Sequence, residues 1–144
     1  MMADVVTWMV GGVLFLVSAM HWYWMAGGTK GSSAAIPARG SELLFRPTKI
    51  ATGIVATAMA AAGWFVLELG GVVERLLFAG WFHTYGGWAL ACVFLIRSIG
   101  EFRWVGFFKR EKGTLFAKWD TVLYSPLCLC IGVCLLWITS SLAS

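Results

Sequence analysis

The two histidines are the first residues of this chain whose type could carry chemistry, because a pair of histidines can hold a haem from both sides. His21 and His83 both lie within long uncharged runs of the sequence. At a helical rise of 1.5 Å per residue, His21 lies about 24 Å and His83 about 10 Å from the helix ends that would face the same side. This difference in depth argues against one haem bound by both side chains, and we expect no cofactor.

The four cysteines are the other potential ligands or redox groups: Cys92, Cys128, Cys130 and Cys134. No two of them form the C-x-x-C pair that is typical of thiol oxidoreductases. Cys128 and Cys130 are two residues apart, which places them on nearly opposite sides of a helix. We expect the cysteines to be small apolar core residues, and we predict no metal site.

The elements that must position these side chains are long and apolar. The chain has 144 residues, of which 60% are hydrophobic and 12% charged, whereas a soluble domain is about a quarter charged. Charged residues separate four uncharged runs of 25, 18, 21 and 24 residues, and a membrane span needs about 20. The second run reaches that length if Lys49 and Glu68 extend to the membrane surfaces at its two ends.

The composition excludes a disordered chain, a nucleic-acid-binding module and a typical cytosolic enzyme. We predict an all-α fold, an integral membrane bundle of four transmembrane helices that forms one domain over residues 1–144. The predicted spans cover about residues 5–26, 49–69, 76–98 and 121–142.

The basic residues indicate how these spans are oriented. Ten of the eleven Lys and Arg residues fall in the first and third loops, and Arg75 is alone on the other side. Short loops rich in Lys and Arg stay in the cytoplasm. The sequence therefore predicts that both termini lie outside.

Polar residues from all four predicted helices fall at the cytoplasmic side. Arg97 and Glu101 are one turn apart and can pair, and Asp120 is a candidate N-cap of the fourth helix. A histidine beside a carboxylate and a tyrosine is typical of a proton-transfer site, but the same groups could equally tie helix ends together. The catalytic candidates are His21, Glu101, Asp120 and Tyr124.

The third loop alternates aromatic and basic residues over positions 101–112. Such a segment favours the headgroup level, with its rings among acyl chains and its bases on anionic phosphates. The alternative is that the bases serve only to set topology. The candidate lipid-binding residues are Arg97, Arg103, Trp104, Lys109, Arg110, Lys112 and Trp24.

The second predicted helix is rich in small residues, among them Gly53, Ala56, Ala60 and Gly63. Small residues at spacings of four let helices approach closely within lipid. We expect this helix to lie at the centre of the bundle or to form a dimer seam. The expected partners are membrane lipids, with anionic headgroups, and either a second copy or another membrane protein, but no nucleic acid.

Three segments resemble a family of small bacterial four-helix membrane proteins of unknown function. They are H-W-Y-W-M-A-G-G from His21, R-S-I-G-E-F-R from Arg97 continuing through G-F-F-K-R, and G-T-L-F-A-K-W-D-T from Gly113 continuing through Y-S-P-L-C. The resemblance implies the four-span architecture alone and brings no activity; from the whole sequence we place the bundle in the bacterial inner membrane.

Two functions fit these residues. The first is a small multi-pass protein of the inner (cytoplasmic) membrane that binds lipid or a partner protein through its cytoplasmic-leaflet face. The alternative is an intramembrane enzyme or carrier for a small amphipathic molecule, with its site at the cytoplasmic ends of the helices. A transporter is a third possibility, supported only by Glu68 and the small-residue helix.

Overall fold

The chain folds mainly into helices in a computed structural model, which describes residues 1–40, 42–78 and 80–143. The long helices are α1 (Met2–Met25), α3 (Lys49–Leu69), α4 (Gly80–Ile99) and α6 (Ser125–Ala143). The short elements are α2 (Ser32–Ala35), α5 (Leu115–Trp119), and the antiparallel strands β1 (Ala38–Arg39) and β2 (Glu42–Leu43).

Three helices among the described residues are long and apolar enough to cross a membrane, which indicates a membrane protein. They cover Met2–Met25, Lys49–Leu69 and Leu115–Leu142. Helix α4, which coincides with the third predicted span, is not among them, although it has 20 residues. Its last turns carry Arg97 and Ser98, and His83 and Thr84 lie near its start, so it is less apolar than the others.

The last helical run begins earlier than predicted, and the expected N-cap role of Asp120 is wrong. The hydroxyl of Thr114 accepts the backbone N–H of Ala117 at 3.1 Å and caps α5. The chain then continues through a π-helical segment, Asp120–Tyr124, directly into α6. Asp120 is therefore an internal residue of this run, and its carboxylate is available for tertiary contacts.

The long helices pack mainly as two pairs of neighbours in sequence, α1 with α3 and α4 with α6. The first pair approaches closely at two glycines: a Cβ added to Gly63 would lie 3.3 Å from the carbonyl oxygen of Gly11. In the second pair, a Cβ on Gly132 would lie 2.7 Å from the Leu95 side chain. The prediction that the small-residue helix lies at the centre of the bundle is wrong, because α3 packs chiefly on α1 and its first half is largely exposed.

A shared apolar core joins the two pairs. It includes Leu14 from α1, Val66 from α3, Phe94 from α4 and Leu135 from α6, all of them buried. Every long helix thus contributes to one interior.

The first and third loops lie at the same end of the molecule, because α2 packs against α5. We call this end the basic end, since its loops and adjoining helix ends hold ten of the eleven Lys and Arg residues. The opposite end is called the far end and contains the second loop, residues 70–78.

Candidate functional site

Asp120 is the centre of a buried ionic cluster at the basic end. Its side chain is fully buried. One carboxylate oxygen, Oδ1, accepts from Arg97 Nη2 at 2.9 Å, and the other, Oδ2, accepts from Lys109 Nζ at 2.9 Å and from the Gly106 N–H at 2.8 Å. Lys109 Nζ also donates to the Gly106 carbonyl at 3.0 Å and to Thr121 Oγ1 at 2.7 Å. We call Arg97, Lys109, Asp120, Gly106 and Thr121 the Asp120 cluster.

The cluster satisfies the Asp120 carboxylate and the Lys109 ammonium from within, whereas Nη1 of Arg97 is buried without a hydrogen-bond partner among the described residues. Lys109 is only 3% exposed, and the three hydrogens of its ammonium group match its three acceptors. A buried charge is tolerated when it is paired and fully hydrogen-bonded. The cluster therefore fixes the third loop to α4 and to the start of the last helical run.

Two expectations for these residues are corrected by this geometry. Arg97 pairs with Asp120 and not with Glu101, because α4 ends at Ile99 and Glu101 lies beyond it as an exposed residue. Lys109, expected among the bases that contact lipid phosphates, is buried and bound to Asp120. The alternation of rings and bases in the sequence does not reveal that one base of the series points inward.

Two glycines allow the third loop to fold back on the helix ends. Gly100 (φ +86°) and Gly106 (φ +91°) adopt left-handed backbone conformations, which L side chains rarely take. A Cβ at Gly106 would overlap the carbonyl of Ile99, and one at Gly100 would overlap the carbonyl of Val105. A hydrogen bond joins the loop to the end of α4 at this point: the Phe107 N–H donates to the Ser98 carbonyl at 2.9 Å.

The outer face of this loop combines exposed rings and exposed bases. Phe102 and Phe108 are 56% and 64% exposed, and Phe107 is 40% exposed. The guanidinium of Arg103 lies over the half-buried ring of Trp104, 5.2 Å from its centroid. We call the exposed set the loop platform: Phe102, Arg103, Phe107, Phe108, Arg110 and Lys112.

His21 lies elsewhere at the basic end, in a recess between the end of α1, the first loop and the start of α3. The recess has a volume of about 380 Å³, and His21, Trp24, Phe45 and Val55 are among its lining residues. We call it the His21 recess. No residue of the Asp120 cluster lines this recess. The fourth candidate, Tyr124, packs against Phe116 with 6.1 Å between ring centroids. The four catalytic candidates do not form one group. His21 lies in the recess and Glu101 is exposed beyond α4, whereas Asp120 and Tyr124 lie about one turn apart on the last helical run.

A second buried carboxylate, Glu68 at the far end, has a role that differs from the predicted one. Glu68 is fully buried within the fold, and it does not extend outwards from the end of α3. It accepts from Trp64 Nε1 at 2.7 Å and from three consecutive backbone N–H groups, those of residues 76–78, at 3.1, 2.8 and 3.3 Å. His83 Nε2 lies 3.4 Å from Oε2, the oxygen that accepts from the N–H of residue 78. Of these contacts, the one between Trp64 and Glu68 could have been predicted from the sequence, because the two residues are one helical turn apart.

The His, Cys, Asp and Glu side chains of residues 1–40, 42–78 and 80–143 form no group of three that could hold a metal ion. The four cysteines are free thiols. Cys128 and Cys134 are partly buried, but Cys92 and Cys130 are exposed on the helix surfaces, so the expectation that the cysteines are core residues is wrong for these two.

The fold and the basic end define a class: a helical membrane protein whose third loop is anchored by a buried ionic cluster. The profile of a family described as protein of unknown function (DUF3995) matches residues 13–135. The chain belongs to this family, and the predicted resemblance to an uncharacterised family is confirmed. Comparison with curated proteins and with solved structures gives no match.

Proposed function

We propose that the chain crosses a bacterial inner membrane four times, with α4 spanning it in addition to the three more apolar helices, and with the basic end in the cytoplasm. Two features support this topology. The first and third loops are joined by the contact of α2 with α5, and loops rich in Lys and Arg are retained in the cytoplasm. Both termini then lie outside.

We further propose that the protein binds anionic lipid headgroups through the loop platform. The observation that carries this proposal is the exposure of three phenylalanines beside three bases on one short, anchored loop. Exposed aromatic rings next to bases suit the boundary between acyl chains and headgroups. The Asp120 cluster holds this loop before any lipid binds, so little ordering entropy is lost on binding.

The expected strength follows from the number of bases. Each Lys or Arg near an anionic membrane surface contributes about 1 kcal/mol. Arg103, Arg110 and Lys112 together thus favour an anionic over a neutral headgroup by about 3 kcal/mol, or about a hundredfold. Lys109 is not counted, because it is buried and bound to Asp120 within the fold.

The test replaces Arg103, Arg110 and Lys112 by Gln in the full chain and counts retained phosphatidylglycerol by native mass spectrometry from mild detergent. We expect the triple variant to lose the retained anionic lipid. A variant that keeps the charges (Arg103→Lys, Arg110→Lys, Lys112→Arg) should retain it, as should Arg75→Gln, which changes a base in the second loop. Equal lipid retention by the triple variant and the wild type would refute the proposal.

The alternative of an enzyme built from His21, Glu101, Asp120 and Tyr124 receives less support. Catalysis by these residues requires a carboxylate that can exchange a proton beside the histidine. Asp120 instead accepts three hydrogen bonds within the fold, and His21 lies in a separate recess.

A further inference from the structure

The His21 recess has the size and the mixed lining of a small-molecule site. Its volume of about 380 Å³ falls in the lower part of the range for ligand pockets, about 300–1,000 Å³. Three separate segments form its wall: the end of α1, the first loop and the first turns of α3.

The polar wall of the recess is held rigidly. His21 Nδ1 lies 2.8 Å from the Val17 carbonyl oxygen, so this nitrogen carries the proton and donates it. Nε2 is then an acceptor in the neutral ring and a second donor in the protonated ring. Trp24 packs edge-on against the imidazole, 5.0 Å between centroids, and its indole N–H donates to the Lys30 carbonyl at 2.8 Å.

Two glycines shape the turn that follows this wall. Gly27 has φ +103°, a conformation that favours glycine. A Cβ at Gly28 would overlap the ring of Tyr23. The segment from His21 to Gly28 thus uses both its aromatic residues and its glycines to bring the first loop against the end of α1.

The remaining lining combines apolar side chains with two hydroxyls. Phe45, Pro47 and Val55 provide apolar surface. The hydroxyls of Ser32 and Thr52 donate to nearby carbonyls, those of Thr29 at 2.8 Å and Thr48 at 3.0 Å. Because a hydroxyl rotates, each can instead turn its hydrogen towards a bound acceptor. A ligand with an apolar chain and a compact polar head matches this arrangement.

The charge of the surrounding segments selects the sign of that head. The first loop and the start of α3 carry Lys30, Arg39, Arg46 and Lys49 against one acid, Glu42, and all five are exposed. None of the five is a lining residue, but four bases and one acid leave a net charge of +3 on the segments that form the recess, which attracts an anion.

We infer that the His21 recess binds one amphiphile with an anionic headgroup, a carboxylate or a phosphate ester on an alkyl chain. The chain packs against Phe45, Pro47 and Val55, and the headgroup lies at His21 among the loop bases. This site uses the first loop and does not depend on lipid binding by the loop platform.

The experiment measures binding of radiolabelled palmitate and of decyl phosphate to the full chain in nanodiscs of uncharged phosphatidylcholine. The blocking variant is Val55→Trp, which fills the recess. Its matched control is Ile54→Trp, because Ile54 is the adjacent exposed residue on α3 and is not part of the lining. Trp24→Ala and Trp22→Ala form a second matched pair, since Trp22 is exposed and lies outside the lining.

We expect saturable binding of at least one probe, at one molecule per chain, to the wild type and to both controls. Val55→Trp should abolish it, and Trp24→Ala should weaken it about tenfold, as for a buried aromatic anchor. Palmitate alone as ligand would assign a carboxylate head, and decyl phosphate alone would assign a phosphate head.

Three results would overturn the inference. They are no saturable binding to the wild type, equal binding by Val55→Trp and Ile54→Trp, or equal competition by acetate or inorganic phosphate, which lack the alkyl chain. The platform variant with Arg103, Arg110 and Lys112 replaced by Gln should bind both probes as the wild type does. The platform variant tests only the loop platform, and the recess variants test only the His21 recess. Failure of one proposal can therefore be distinguished from failure of the other.

Discussion

At the scale of single residues, Asp120 determines how the third loop is held. Its carboxylate connects a helix residue, Arg97, with a loop residue, Lys109, and with the loop backbone at Gly106. Removing one member of a buried ion pair costs more than the pair contributes, because the remaining charge has no partner.

We predict that Asp120→Ala destabilises the protein by about 3–5 kcal/mol, the cost of leaving the buried Lys109 ammonium without its counter-ion. The measurement is the thermal unfolding midpoint in detergent. Lys112→Met is the control, because Lys112 is exposed and its loss should change stability by less than about 0.5 kcal/mol.

A double-mutant cycle separates pairing from packing. Lys109→Met combined with Asp120→Asn removes both charges, and it should cost less than the sum of the two single changes. Additive effects of the two changes would contradict a direct interaction between Lys109 and Asp120.

The sequence indicated the importance of Arg97 and Asp120 but not their pairing. Local spacing favoured Glu101 as the partner of Arg97, since both would lie on one helix face. Gly100, with its left-handed backbone, follows directly after α4 and removes Glu101 from that face. Arg97 and Asp120 are 23 residues apart. Their contact depends on the path of the loop between them, which cannot be predicted from spacing along a helix.

At the scale of elements, close packing of α1 on α3 depends on Gly11 and Gly63. We predict that Gly63→Leu destabilises the protein by about 1–3 kcal/mol or more, because the larger side chain meets the Gly11 backbone and forces the helices apart. The thermal unfolding midpoint measures the loss.

Gly12→Leu is the matched control on the facing helix. A Cβ at Gly12 meets no atom within 4 Å, so this variant should unfold at the wild-type temperature. If both variants unfold together, the close approach of the two helices has no role in stability.

The second loop depends in the same way on Glu68, which holds the backbone of residues 76–78. We predict that Glu68→Gln speeds amide hydrogen exchange in this segment, since an amide group has one acceptor oxygen in place of two and loses charge-assisted bonds. Such bonds contribute about 1.5–3 kcal/mol each, so protection should fall at least about tenfold.

Hydrogen exchange followed by mass spectrometry makes this measurement. Glu74→Gln, an exposed residue of the same loop, should leave the exchange rates unchanged. Unchanged protection in Glu68→Gln would show that the loop is held by packing alone.

The uncharged run that contains α4 begins at residue 76, but residues 76–78 belong to the second loop. The N–H groups of residues 76–78 are bound to a side chain of another helix. Each apolar run predicted one long helix, and that helix covers most of its run. This succeeded because the tendency of an apolar run to form a helix depends on the run itself. The runs gave no information on helix partners or on the path of the loops.

At the scale of the whole molecule, the basic end fixes the orientation that we propose. We predict that alkaline phosphatase fused at the C-terminus is active, because the positive-inside rule places that end outside. A fusion truncated after Gly113 should be inactive, since the third loop then lies in the cytoplasm.

Green fluorescent protein at the same two positions should give the opposite pattern. Fluorescence from the C-terminal fusion would contradict four spans with both termini outside. Among the described residues, three helices are long and apolar enough to span a membrane, and α4 is not one of them. The fusions therefore test whether α4 crosses the membrane.

The pairing of α1 with α3 and of α4 with α6 has a consequence for how the protein is made. Each helix finds its main partner next to it in sequence, so the first helical hairpin is complete once residue 69 has been synthesised. Contacts that are local in sequence form quickly, and helices within a bilayer are stable before they associate. The growing chain can therefore assemble as two successive hairpins, and the docking of Leu14 and Val66 on Phe94 and Leu135 is the last step.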